Sequence, residues 1–228
     1  FSMYSFIPMP QLTWDKKTMR YALCFLPFVG VLIGACQYLW FLFCTHFEAN
    51  TLFYAIGATL LPVVISGGIH LDGLTDTSDA LGSHSEPERR LEIMKDPHVG
   101  AFGVLGMVVF LMCETALFAQ LYETPNYLFL ALCGFTLARI VGGRAIVSLP
   151  CAKNTGLAYI FAENSEKERT KHAMLFELIA AFLALAVISR SIWVVISIAA
   201  VILWCIGQGG RGQKRFVGVT GILAGGLA

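Results

Sequence analysis

The sequence predicts an all-α, polytopic membrane protein, a bundle of six to eight transmembrane helices forming one domain over residues 1–228. Three observations predict it. The chain is 57% hydrophobic and only 14% charged, with a mean hydropathy of +0.70, whereas soluble domains carry about 25% charged residues. Its apolar runs approach 20 residues, about the thickness of a bilayer core, and alternate with short polar stretches. Its basic residues gather on every second connection.

In chain order the predicted spans are Met19–Cys44, Thr51–Ile65, Ala101–Leu121, Asn126–Leu149, Ala173–Ser189 and Ser191–Ile206, and a Gly-rich tail, Phe216–Ala228, begins a weaker seventh. The second run is short and holds Pro62, so it is expected to break and continue into Ser66-Gly67-Gly68. The N-terminal segment has no basic flank, short apolar core and small-residue cleavage site, so no signal peptide is expected. The seven cysteines are scattered without a CxxC pair and lie in or at apolar runs, where a thiol packs as a small hydrophobe; neither disulfides nor zinc are expected.

Charge sets the orientation. The connections at 46–50 and 122–125 hold no Lys or Arg, and the turn after Ser189 holds only Arg190. The alternate segments carry Lys16, Lys17 and Arg20; Arg89, Arg90 and Lys95; Lys153, Lys167, Arg169 and Lys171; and Arg211, Lys214 and Arg215. Thirteen of the sixteen basic residues therefore fall on one side, expected to be the cytoplasm.

The chemistry is concentrated in the segment 66–103 on that side, which holds four of the five aspartates and three of the five histidines. In a helix over Ile69–Leu81, Asp72, Asp76 and Asp79 fall at i, i+4 and i+7 on one narrow face. Clustered carboxylates repel one another unless a cation joins them, and hard oxygen donors select Mg²⁺, Mn²⁺ or Ca²⁺. A solvated helix end is the alternative reading. His70 lies on the opposite face, equally suited to a substrate contact or an interfacial position. A second short helix, Glu88–Asp96, ends at Pro97 and puts Glu88, Glu92 and Asp96 on one stripe beside Arg89, Arg90 and Lys95. Ordinary surface pairing explains the two glutamates. Asp96 stands apart, followed by Pro97 and the pliant stretch Gly100-Ala101-Phe102-Gly103.

Arg139 and Arg144 lie inside the fourth span, nearer the basic connection that begins at Lys153. Charge within a membrane marks a site or a buried pair. These arginines are expected either to clamp phosphates or to pair with the aspartates. Glu114, deep in the third span, has no evident partner in the sequence.

The stretch GGIHLDGLTDTSDALGS followed by RRLEIMKDPHVGAFGV resembles the signature of the cobalamin synthase (adenosylcobinamide-GDP ribazoletransferase) family. FSMYSFIPMP, RYALCFLPFVGVLIGA and PCAKNTGLAYIFAE extend the likeness over most of the chain. The resemblance implies a multi-pass enzyme of the prokaryotic inner membrane. It would join α-ribazole or its 5′-phosphate to adenosylcobinamide-GDP, release GMP and require Mg²⁺. It puts Asp72, Asp76, Asp79 and Asp96 on the acidic motif, with Lys95 and Gly100 beside it. On this reading the four aspartates hold the metal, and Asp96 or Asp76 takes the hydroxyl proton. His70, Lys95, Arg139, Arg144 and Lys153 are the candidate substrate contacts. Two positions depart from the family pattern: Phe6 stands where a basic residue is usual, and Gly218-Val219-Thr220-Gly221 runs directly into Ile222, where an aspartate is usual.

Two rival readings are a CDP-alcohol phosphotransferase, whose motif places Ala-Arg after Asp-Gly where this chain has Leu74-Thr75, and an ion transporter built on the aspartates. The lipid bilayer is an expected partner, nucleic acid is not, and association of several copies is compatible with the sequence.

Overall fold

The computed structural model describes residues 19–148 and 157–189, with the single positions 196, 200 and 203, and the described residues are helical without strands. The predicted spans Ser191–Ile206 and Phe216–Ala228 lie outside the described stretches. A 3₁₀ turn at Ala22–Phe25 leads into α1 (Leu26–His46), with Pro27 in its first turn, where a missing N–H costs nothing. The helix α2 (Thr51–Ser66) starts at Asn50, whose side chain accepts the Phe53 N–H at 2.8 Å. It is followed by α3 (Ile69–Gly82), α4 (Pro87–Ile93), α5 (Ala101–Glu123), α6 (Leu128–Ser148), α7 (Leu157–Asn164) and α8 (Lys167–Ser189).

Ala22–His46, Ala101–Glu123 and Pro125–Ser148 are each long and apolar enough to cross a membrane, and α2 with α3 makes a fourth candidate bent by 95°. The bend falls where the sequence put it. Gly67 and Gly68 have φ of 65° and 76°, left-handed values that side chains with a Cβ rarely adopt. Their N–H groups close the end of α2 onto the Val64 and Val63 carbonyls. Helix α2 has sixteen residues, and α3, which spends three of its fourteen on aspartate, runs off at the angle with a composition suited to the interface and not to the bilayer core. Elsewhere the boundaries move by a few residues. The helix predicted over Glu88–Asp96 starts on Pro87 and stops at Ile93, because Lys95 and Asp96 form the turn before Pro97. The span predicted over Ala173–Ser189 begins at Lys167, adding polar residues at its start.

The order of packing is α8 on α6, α6 on α1, α1 on α2, α2 on α5, and α5 on α3. Lipid offers no hydrophobic drive between helices, so close backbone approach at small residues holds them. Gly30 and Gly34, a Gly-x-x-x-Gly pair on α1, meet α6 there: a Cβ on Gly30 would stand 2.5 Å from the Phe135 carbonyl oxygen. Next to this seam, Gln37 donates to the Ala58 carbonyl at 2.6 Å, and Thr59 bonds Thr115 at 3.1 Å. Tyr54 and Tyr122 stack at 4.4 Å in the cluster with Cys44, Ala55, Ala58 and Phe118. The outer side of α5, with Leu105, Val109, Met112 and Leu117 exposed, fits lipid.

Gly30→Ala should lower stability by about 1–3 kcal/mol, since the atoms its methyl meets are backbone and cannot turn aside. Gly134→Ala, on α6 with nothing within 4 Å, is the control and should cost nothing. Thermal melts of the two variants in detergent check the difference.

Candidate functional site

At the bent joint a cleft of about 430 Å³ opens between Gly67, Gly68, Ile69, Leu71, Asp72 and Thr75 on one side and Val99 and Met107 on the other. Its floor is the exposed backbone of the joint, where a Cβ on Gly68 would meet nothing within 4 Å. Asp72 is exposed and lines it; Asp76 follows one turn later on the same face, half-buried. Burial, together with the charges of Asp72 and then Asp79, pushes the Asp76 carboxyl up to about 6.

Asp79 is spoken for. Its two oxygens accept the Gly100 and Gly103 N–H groups, each at 2.7 Å, at the start of α5. Helix α3 reaches these amides because α5 presents glycine every third residue. A Cβ on Gly103 would fall 2.3 Å from an Asp79 oxygen and 2.8 Å from Thr75 Cγ2, and one on Gly106 would fall 2.4 Å from Ser78 Oγ. Thr75 and Gly103 are buried in this contact.

Asp96 lies on the exposed turn before α5. It accepts the His98 backbone N–H at 3.0 Å and the ring Nδ1–H at 2.6 Å. First the His98 backbone bond and then the ring bond hold its carboxyl below the usual range. The neighbouring Lys95 is exposed. Arg89 pairs with Glu92 at 2.7 Å on the surface of α4, the ordinary i,i+3 pairing expected of that glutamate.

The arginines of α6 have other partners. Arg139 is 4% exposed, donates to the Phe135 carbonyl at 3.2 Å and sits 5.7 Å from the Phe135 ring. It is within electrostatic range of Glu114 on α5, the partner that the sequence did not reveal. Arg144 donates to the Lys171 carbonyl of α8 at 3.0 Å.

A family profile described as cobalamin-5-phosphate synthase matches residues 1–227. The chain belongs to that family. It is 34% identical over 225 residues to the adenosylcobinamide-GDP ribazoletransferase of Lachnoclostridium phytofermentans, covering 99% of this chain and 85% of that protein. It is 31% identical to the protein of the same name from Geobacillus kaustophilus, covering 99% and 87%. The similarity to the Clostridium perfringens protein of that name is 34% over 167 residues, 73% of this chain and 66% of the other. No solved structure matches.

Within this cobalamin-5-phosphate synthase family member, the predicted site residues divide. Asp72 lines the cleft, and Asp76 lies one turn along the same helix, within electrostatic range of it. Asp79 and Asp96 are engaged with α5 amides and with His98. Among the described residues no three His, Cys, Asp or Glu side chains converge as metal donors. His70 is half-buried and does not line the cleft. Arg139 and Arg144 are correctly placed inside the bundle but are engaged at α6 with α5 and α8, away from the cleft lining. Lys153 lies outside the described residues. The sequence reading missed the Gly100, Gly103 and Gly106 stripe. Its spacing of three was the available signal, read only as pliancy.

The raised Asp76 carboxyl has a stability consequence. Between its ordinary value of 3.8 and about 6, the folded chain binds a proton that the unfolded chain has released, so stability falls as pH rises through that window. Asp76→Asn should flatten this fall and make the metal-free protein more stable near neutral pH. Melts near pH 4 and near pH 7, in chelator, check it.

Proposed function

We propose that this chain transfers the phosphoryl-cobinamide group of adenosylcobinamide-GDP to the hydroxyl of α-ribazole or its 5′-phosphate, releasing GMP. The observation that carries the reading is a cleft bordered by the backbone of the α2–α3 joint and by Asp72, with Asp76 one turn along the same helix. The family membership supplies the substrate class. The cleft would face the cytoplasm, because the connections on its side carry the basic residues.

Asp72 and Asp76 are the residues that would hold Mg²⁺. A pair of hard carboxylates one turn apart fits an ion that habitually takes one or two carboxylates and fills its shell with phosphate oxygens. When bound, the ion neutralises charge on the pyrophosphate. The acceptor hydroxyl attacks the phosphorus of the cobinamide phosphate, and the bond to the GMP oxygen breaks. The hydroxyl proton goes to a carboxylate of the acidic segment, Asp96 or Asp76. Lys95, exposed on the same turn, offers positive charge to the phosphates.

The test is purified protein with adenosylcobinamide-GDP, α-ribazole and Mg²⁺, followed by GMP release. Wild type should release GMP, and Asp76→Asn should lose at least about 100-fold in turnover while remaining folded, the loss typical of removing one charge-stabilising group. Release of CMP from a CDP-alcohol, with no GMP, would favour the phosphotransferase rival. Undiminished turnover in Asp76→Asn would remove the carboxylate from the site.

A further inference from the structure

We propose that Asp79 is a positioning residue, the missing N-cap of α5, rather than a metal donor. The inference rests on the reading of α3 as the acidic wall of the reaction site, and it assigns that wall's third aspartate a different task from its neighbours.

A helix begins with N–H groups that have no partner inside it, and the residue at the N-cap ordinarily supplies an oxygen to them. The N-cap of α5 is Gly100, which has extended backbone, φ −88° and ψ 173°, and no side chain to do so. Asp79 takes over from another helix. One carboxylate oxygen accepts the N–H of the N-cap residue itself and the other accepts that of Gly103, the third residue of the helix. A local capping box needs two side chains to satisfy this pair of donors. The carboxylate also meets the positive end of the α5 dipole.

The glycines are what allow it. Every close atom that a Cβ on Gly100 would meet belongs to Asp79, and the Gly103 position is closed by Asp79 and Thr75 together. Asp79 is one turn beyond Asp76 on the same helix, so pinning it to α5 fixes the rotation of α3 about its axis. Rotation is the coordinate that sets where Asp72 and Asp76 point. A carboxylate whose two oxygens each hold an amide at 2.7 Å has less freedom to ligate an ion, and its bonds to backbone are charge-assisted.

Capping and positioning can be separated by substitution. Asp79→Ala removes both. Asp79→Ala with Gly100→Ser restores a local cap, since Ser favours the extended N-cap backbone and Asp79, the atom source of the Gly100 clash, is gone. The restored cap does not reconnect α3. Hydrogen exchange is measured on a peptide containing Gly103, with and without Mg²⁺, and GMP release is followed. In Asp79→Ala, exchange of the Gly103 amide should rise about tenfold or more and turnover should fall about tenfold or more. In the wild type the same exchange should be unchanged by saturating Mg²⁺, because Asp79 keeps its amides and does not turn to the ion. In the double variant exchange should return to the wild-type rate while turnover stays low. Recovery of turnover with the cap would mean that Asp79 only stabilises α5 and would overturn the proposal. So would faster exchange of the Gly103 amide in the wild type when Mg²⁺ is added, the mark of a carboxylate drawn to the ion, or unchanged exchange in Asp79→Ala. If Asp79→Ala does not fold, Asp79→Asn is read by the same two measurements, because its amide group can accept only one of the two bonds. Exchange is read without substrate, so a wild-type chain that releases no GMP defeats the functional reading and leaves exchange to decide on the cap.

Discussion

The contact on which the site depends is the pair of hydrogen bonds from the first-turn amides of α5 to Asp79. Helix α3 is only fourteen residues long and leaves α2 through two left-handed glycines, a joint with little stiffness of its own. Without a second attachment its angle would be free. The attachment comes from α5, which is anchored in turn along its length to α2. The cleft is the wedge of space left between this cross-braced pair, and its lining comes from both arms of the brace and the joint between them.

The same economy of small residues recurs on the other side of the bundle. The α1–α6 seam closes at Gly30 and Gly34, where backbone meets backbone. The helices also carry Gln37, Thr59, Thr115, Glu114 and Arg139, polar groups that hydrocarbon does not tolerate unless they find one another. Arg139 pays its desolvation to a carbonyl and a ring on its own helix and to Glu114 across from it. This arrangement makes it a group of the bundle interior, whereas the cleft relies on its own carboxylates and on the exposed turn at Lys95, Asp96 and His98.

Much of this was legible in the sequence because each signal was local. The lengths of the apolar runs, the Gly67-Gly68 break and the spacing of Asp72, Asp76 and Asp79 all follow from periodicity and from single-residue backbone preferences. The roles within the aspartate set were not legible. Helical spacing puts three carboxylates on one face but cannot say that the last of them meets another helix 21 and 24 residues onward. Likewise, Glu114 and Arg139 are 25 positions apart in sequence, on helices in different parts of the packing order, so no pattern within either helix pairs them. The Asp96–His98 contact spans only two residues, yet it depends on the turn at Pro97, which composition alone does not orient.

On the proposed function, Asp72 and Asp76 form an incomplete metal site, made whole by the phosphates of the substrate. Titration of the purified protein with Mn²⁺, followed by its paramagnetic resonance signal with and without adenosylcobinamide-GDP, tests it most directly. The ion alone should bind weakly, binding should tighten at least about tenfold when the pyrophosphate is present, and that gain should be lost in Asp76→Asn. Tight binding without the substrate, unchanged in Asp76→Asn, would contradict it.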